Sequence, residues 1–239
     1  VHIAQQSAFV LHSRAWRETS LLLEVFSRDY GRVGLVARSV RGARARLPRS
    51  LLEPLQALRV DWGGRGELQT LVAVEPDGPA VALRGDALLS ALYVNELLVR
   101  LTARNDPHPG LFERYAVLLD ELARTPALGW SLRCFERDLL AAMGYAPQLA
   151  VESNTGEPID AAREYEYLPE QGPIAAETRA MGVRVRGSAL LALASGTPPE
   201  AADQTALRRL MRALIGVHLG DRGLQAWRVL AGPLAGTHR

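Results

Sequence analysis

The period of the apolar residues changes from two to 3.6 near Gly85, and that change limits what this chain can become. Before it, Val33, Leu35 and Ala37 face one way, while Arg32, Val36 and Arg38 face the other. Leu58, Val60 and Trp62 alternate with Arg59 and Asp61 in the same manner. Alternation of this kind is a half-buried strand. Residues 8–13, 19–27, 32–38, the run around 58–62 and residues 67–74 make five short strands. Asp29-Tyr30-Gly31 and Gly63-Gly64-Arg65-Gly66 are hairpin signals between them. Five short antiparallel strands suit a closed barrel, because closure removes the edges. The OB-fold is the leading small barrel of five strands, and it binds oligonucleotides on one face.

Past Gly78-Pro79 the pattern is helical. Residues 86–103 are apolar nearly all round, through Leu88, Leu89, Leu92, Tyr93, Leu97, Leu98 and Leu101, and predict a buried central helix. Asn95 and Glu96 interrupt it and read as satisfied structural polars. Leu111, Tyr115, Leu118 and Leu122 form one stripe over 110–124, and Leu132, Phe135, Leu139 and Met143 form another over 129–143. Residues 151–186 change character: Asn154-Thr155-Gly156, Pro158, Tyr165, Tyr167 and Gly172-Pro173 predict turns and short strands, an excursion outside the core. Helices resume at 187–195, 199–219 and 221–232, with Leu207, Leu210, Met211, Leu214 and His218 facing inward and Arg208, Arg209 and Arg212 facing out. The fold class is therefore α+β: a five-stranded OB-fold β-barrel, then an α-helical bundle with a small irregular β insertion. The proposed boundaries are 1–79 for the barrel, 80–150 and 187–239 for the two parts of the helical domain, and 151–186 for the insertion.

Charge separates the two halves. The chain has no lysine, so all 28 basic residues are arginine. Through Arg65, eleven arginines stand against five carboxylates, about +6 in a chain whose net charge is +2. The densest stretch is R-S-V-R-G-A-R-A-R-L-P-R, Arg38 to Arg49, on the connection between two strands. Arg38, Arg41, Arg44, Arg46 and Arg49 repel one another with no carboxylate among them, so an external polyanion stabilises the segment, and phosphate backbone is the commonest one. The alternative is a solvated basic loop.

Other classes are excluded or unsupported. No apolar run reaches about 18 residues, so no transmembrane helix is expected. The stretch VHIAQQSAFVLHS lacks the basic and apolar regions of a signal peptide. The one cysteine, Cys134, excludes an internal disulfide and a cysteine-rich zinc site, and fits a reducing cytosol. There is no GxxxxGKS/T, no GxGxxG after a strand, no HExxH and no GxSxG. His12 and Ser13 are adjacent on a strand and point to opposite faces, and Cys134 has no partner histidine on its helix. No catalytic residue, metal ligand or cofactor is assigned, and the chain reads as a non-enzyme. Arg133 and Arg137 lie one turn apart beside an apolar stripe. They suit either an acidic peptide ending in an apolar residue or a solvated face with Glu136 and Asp138 as neighbours.

Five stretches together resemble a known family. They are A-F-V-L-H-S-R-x-W-x-E-T-S-L-L-L (8–23), G-R-V-G-L-V-A-R (31–38), W-G-G-R-G-E-L-x-T-L (62–71), Y-V-N-E-L-L (93–98) and L-R-C-F-E-x-x-L-L-x-x-M-G-Y (132–145). They are similar, in order and across both proposed domains, to the RecO family of DNA repair proteins, in its proteobacterial branch. The resemblance implies an OB barrel, a helical bundle and an appended element that binds zinc through four cysteines in some relatives. This chain lacks those cysteines, so 151–186 is expected to be metal-free.

It also implies a recombination mediator without catalytic turnover, in the cytoplasm at the nucleoid. Such a protein binds single- and double-stranded DNA, anneals complementary strands, joins RecR, and helps load RecA on strands coated by the single-stranded DNA-binding protein. It docks on that protein's acidic, Phe-ending C-terminal tail, and it is expected to be a monomer when alone. The DNA-binding positions implied here are Arg14, Arg32, Arg38 and the loop arginines Arg41, Arg44, Arg46 and Arg49; Arg17 and Arg65 are taken with them as basic barrel residues, and Trp16 and Tyr30 either stack on bases or pack in the barrel. The tail-binding positions are Arg133, Phe135, Arg137 and Leu139. Relatives often carry a second basic residue where this chain has Cys134. The rival readings are an RNA- or protein-binding adaptor on the same barrel that does not anneal, and a hydrolase using Cys134 or His12.

Overall fold

The structure is a computed structural model, which describes residues 2–40, 47–79, 81–176, 182–220 and 223–226. Its contacts divide the chain into two units, Val1–Arg124 with Leu224–Arg239, and Thr125–Gly223.

The first unit begins with five strands: β1 (His2–Trp16), β2 (Ser20–Ser27), β3 (Gly31–Ala37), β4 (Ala57–Gly63) and β5 (Leu68–Pro76). They close into a barrel in the order β1-β2-β3-β5-β4. Neighbours are antiparallel except β3 and β5, which run parallel through Gly34↔Leu68, Leu35↔Gln69 and Val36↔Thr70. The alternating residues fill the interior: Val10, Leu21, Leu23, Val25, Val33, Leu35, Leu58, Val60, Trp62 and Leu71 form one cluster. Val40, and Leu52 from the 3-10 turn Arg49–Leu52, join it. Each fully buried Leu or Val contributes about 1.5–3 kcal/mol relative to exposure.

β1 is much longer than residues 8–13. Its first half pairs with β4, from His2↔Gly63 to Phe9↔Ala57, and its second half with β2, from Ala8↔Ser27 to Trp16↔Ser20. Irregularities between Ile3 and Gln6 and between Val10 and His12 let one strand serve both partners. The polar run His2–Gln6 carries no alternation, so the sequence pattern misses this half.

The described residues of the unit also form α1 (Gly85–Leu101) and α2 (Pro109–Arg124). The α2 stripe is buried as its periodicity requires, at Leu111, Tyr115, Leu118 and Leu122. α1 is not buried all round: Leu89 is 37% and Leu92 40% exposed, because only one side of the helix meets the barrel and α2. Asn95 is a structural polar, donating to the Leu11 carbonyl at 2.9 Å and accepting from the Tyr115 hydroxyl at 2.6 Å. Glu96 accepts from the backbone N–H groups of Gln225 (2.7 Å) and Ala226 (2.9 Å). The rest of the helix expected over 221–232 lies outside the described residues.

The second unit holds α3 (Leu128–Ala142), a sheet of β6 (Glu164–Leu168), β7 (Gly172–Ala175) and β8 (Val183–Arg186) in the order β7-β6-β8, α4 (Gly187–Ser195) and α5 (Gln204–Leu219). The sheet belongs to the core, contrary to the excursion read from the sequence: Tyr165, Tyr167 and Val185 are buried, and β8 packs on α5. Short strands full of Glu, Arg and Gly hide this, because the buried face is only two tyrosines and a valine wide. The turn before the sheet is tied by hydrogen bonds, Glu152 N to the Glu157 carbonyl and Gly156 N to the Glu152 carbonyl, both 2.8 Å, and by Gln171 to Asn154 at 2.9 Å. The thiolates a zinc ion would need are not there, since the single cysteine, Cys134, sits half-buried on α3. The residues present do not fit the metal. His218 does not face inward. It is exposed near the end of α5 and lies against Tyr145, with ring centroids 4.0 Å apart.

Candidate nucleic-acid interface

In a closed five-stranded barrel the outer face of β2 and β3 is the usual ligand surface. Here half of that face is covered. Phe26 on β2 and Phe9 on β1 point outward and pack on Phe112 and Tyr115 of α2, with ring centroids 5.0–6.3 Å apart. Burial pushes the Tyr115 phenol far above its ordinary pKa, so it stays protonated and keeps its bond to Asn95. Beside the rings, Glu24 of β2 receives Arg32 of β3 at 2.8 Å and Arg104 from the segment between α1 and α2. Arg32 donates again to the Thr102 carbonyl at 2.8 Å, and its own carbonyl accepts from Asn105 N at 2.9 Å. Gly31 and Gly34 allow this close approach. A Cβ at Gly31 would stand 2.0 Å from the Asp106 carbonyl oxygen, and one at Gly34 would stand 3.3 Å from the Arg104 guanidinium.

The other half carries exposed arginines, although Leu22 (9%) and Ser20 (8%) within it are buried. Strand register places Arg14 opposite Leu22, and Leu22 opposite Val36, on one outward row. The next row pairs Trp16 with Ser20, and Arg38 follows Ala37 at the end of β3. Arg14, Arg17 and Arg38 are exposed and Trp16 is half-buried. The turn after β1 lies against the start of the arginine connection, because Val40 N donates to the Thr19 carbonyl at 2.9 Å. Arg17 and Arg38 therefore share one end of the barrel.

The remaining sequence-derived positions fall elsewhere. Arg32 is a strut between strand and helical segment, its side chain 13% exposed and fully engaged. Arg65 is exposed, but its hairpin sits at the opposite end of β3, roughly 20 Å away by strand length. Arg49 is exposed and lies 3.6 Å from Glu53. Arg41, Arg44 and Arg46 lie outside the described residues. Tyr30 is 38% exposed and meets Trp62 edge-on, centroids 5.4 Å apart, at the end away from Arg38. The period-two pattern could not reveal that Arg32 and Arg38, which share a face, have different surroundings.

The second unit carries a groove of about 200 Å³ lined by Trp130, Arg133, Pro199, Thr205, Leu207 and Arg208, among others. Gln204 and Thr205, where the 3-10 turn Ala201–Asp203 runs into α5, line one side of it. Arg133 reaches it but is not on a solvated face: it is 9% exposed, and its Nε donates to buried Glu136 at 2.6 Å. Arg137 turns away, toward Asp138 (2.9 Å) and the last carbonyls of α4, Leu193 and Ala194. Phe135 and Leu139 are fully buried in the core and do not line the groove. Trp130 and Arg208 carried no sequence signal, since a half-buried tryptophan and an exposed arginine gain meaning only from their place in the fold.

The architecture defines a class first: an OB-type barrel joined to helices, with an arginine-bearing open face. Comparison supplies the family. Residues 1–79 match the domain family described as Recombination protein O N terminal, and residues 83–228 match Recombination protein O C terminal. The chain is 45% identical over 232 residues to the DNA repair protein RecO of Xanthomonas euvesicatoria pv. vesicatoria (strain 85-10), covering 95% of this chain and 96% of that one. It is 48% identical over 237 residues to the DNA repair protein RecO of Alkalilimnicola ehrlichii, covering 98% and 93%. The chain belongs to the RecO family of DNA repair proteins.

Proposed function

We propose that this protein is a recombination mediator that binds DNA on the open end of the barrel and anneals complementary strands there. The observation that carries the reading is the coincidence of two borders. α1, α2 and the segment between them leave only part of the outer β1-β2-β3 face open, and that part is where Arg14, Arg38 and Trp16 stand. Val40, where the described part of the arginine connection stops, is tied to the same end through the Thr19 carbonyl. Guanidinium groups fork onto phosphate oxygens, and neutralising two strands at once lowers the repulsion that keeps complements apart. A half-buried indole beside them offers a stacking surface for a base.

The groove beside α5 would take the acidic, Phe-ending tail of the single-stranded DNA-binding protein. Trp130 and Leu207 suit an aromatic side chain, and exposed Arg208 suits a carboxylate. Docking there brings the annealer to coated strands, with RecR and the loading of RecA following as the family resemblance implies.

The test is binding of a fluorescent single strand over a salt series, wild type against Arg14→Gln/Arg17→Gln/Arg38→Gln. The expected result is weaker binding and a shallower salt slope in the variant. Unchanged slope and affinity in a folded variant would remove the barrel end from the account.

A further inference from the structure

The second unit holds a cleft that neither the barrel reading nor the groove near Trp130 uses. Its volume is about 420 Å³, within the range of small-ligand sites. Tyr145, Gln148, Glu170, Gln171, Gly172 and His218 line it, and Pro147, Pro169 and Leu214 add apolar wall. Tyr145 is 57% exposed, yet its backbone is pinned. α3 closes over Gly144 at φ +83°, and the Tyr145 N–H donates back to the Leu140 carbonyl at 2.8 Å. The Tyr145 ring lies on exposed His218, with centroids 4.0 Å apart and planes 30° apart. The polar groups beside this aromatic pair are acceptors. Gln171 donates its Nε2 to the Asn154 side chain at 2.9 Å, and Gln148 donates its Nε2 to the Val151 carbonyl at 3.4 Å. Each amide thus spends a nitrogen on the protein and keeps its carbonyl oxygen as an acceptor. The Gln148 oxygen is held close to Gly172, where a Cβ would stand 3.3 Å from it. Among the described residues that line the cleft, Glu170 is the only carboxylate and there is no arginine.

We infer that this cleft takes an unpaired nucleobase of a single strand, stacked on Tyr145 and His218, with its exocyclic amine donating to the oxygens of Gln148, Gln171 or Glu170. The inference rests on the reading of the protein as a DNA binder, and adds a base-holding site to the phosphate contacts of the barrel. The chemistry of the lining selects the ligand. A phosphate would meet a carboxylate and no guanidinium, and so would the carboxylates of an acidic peptide. A base is neutral, has a π-face for the aromatic pair and carries N–H donors on its edge. Cytosine, adenine and guanine have an exocyclic amine and thymine has none, so a thymine strand is the poorest ligand. A base stacked here is held out of pairing, which makes the cleft a contact for single strands and not for duplex.

The experiment measures binding of the full chain to labelled oligodeoxycytidine and oligothymidine of equal length, by anisotropy across a salt series at mildly alkaline pH. Tyr145→Ala should weaken oligodeoxycytidine about tenfold and oligothymidine less. The slope of log K against log salt should stay as in wild type, because stacking releases no counterions. Tyr145→Phe, which keeps the ring, should bind as wild type does. Gln148→Leu/Glu170→Leu alters exposed side chains and carries the test if Tyr145→Ala melts early: it should shrink the difference between the two strands. Wild-type affinity for oligodeoxycytidine in folded Tyr145→Ala, or an undiminished difference between the strands in the leucine variant, overturns the inference. So does a Tyr145→Ala protein that loses an acidic, Phe-ending peptide and keeps the strands, which would give the cleft to a protein partner. The barrel variant Arg14→Gln/Arg17→Gln/Arg38→Gln is measured beside these. An unchanged slope there with a weakened Tyr145→Ala removes the barrel reading and keeps this one. A shallower slope there with an unchanged Tyr145→Ala does the reverse.

Discussion

Arg32 of β3 and Glu24 of β2 form an ion pair at 2.8 Å on the outer face of the barrel, and Arg104 closes on the same carboxylate. The pair ties the strands to the segment that runs from α1 to α2. It also marks the border between the covered and open parts of the face.

Glu24→Gln removes the charge that two guanidinium groups share in a half-buried site. The expected cost is about 2–3 kcal/mol of unfolding free energy, read by urea denaturation. DNA affinity at fixed temperature should stay close to wild type, since neither arginine is at the open end. A large loss of DNA binding with full stability would show that Arg32 contacts nucleic acid after all.

Gly31→Ala tests the close approach beside this pair. Gly31 has φ +64° and its missing Cβ faces the Asp106 carbonyl. Backbone cannot yield as a side chain can, so the substitution should cost at least about 2 kcal/mol. Gly66→Ala, at a positive φ with nothing within 4 Å, is the control and should cost less. Equal melting temperatures for the two variants would contradict the packing described.

Arg133→Ala leaves Glu136 buried and without its guanidinium, with an expected loss of about 3–5 kcal/mol. Arg133→Met/Glu136→Leu should recover most of that stability. The tail-peptide assay separates the roles: Arg208→Ala should weaken an acidic, Phe-ending peptide several-fold, while Arg137→Ala should change stability at α4 and leave peptide affinity alone. Calorimetric titration of the Arg208→Ala and Arg137→Ala variants distinguishes them.

Alkaline pH isolates the tyrosines. A chain without lysine has no ammonium side chain to titrate near pH 10, and arginine stays charged beyond pH 12. Burial raises the Tyr115 and Tyr167 phenols above the ordinary value of 10.0. A raised pKa in the folded state means stability is fully present below pH 10 and falls as pH rises above it, because the unfolded chain ionises first. The urea midpoint should therefore drop between pH 10 and 11.5. Tyr115→Phe should be less stable than wild type at pH 8, by about 1 kcal/mol for the lost Asn95 bond, and should show a smaller alkaline drop.

Much of this was legible in the residues. Alternation at Val33, Leu35 and Ala37 and at Leu58, Val60 and Trp62 fixed which faces are interior, and the stripe on α2 fixed its buried side. What stayed hidden was pairing at a distance. β1 continues through a polar run because β4 lies beside it, and no local pattern announces that. Tyr165 and Tyr167 look like surface strand residues until α5 is packed on their sheet. The arginines show the same limit. Charge density pointed to the barrel, but only register and the cover of α1 and α2 separate Arg32, a strut, from Arg38, an exposed group. Trp130 and Arg208 became candidates only once α3 and α5 were seen to enclose a groove.

The most direct measurement is annealing of two complementary labelled oligonucleotides over a salt series. Wild type is compared with Arg14→Gln/Arg38→Gln and with Arg41→Ala/Arg44→Ala/Arg46→Ala. The account predicts pairing faster than that of the bare strands, steepest at low salt, and lost in both variants while their folding is intact. Pairing no faster than the bare strands, with wild-type protein folded and bound, would contradict it and leave a DNA-repair adaptor that does not anneal.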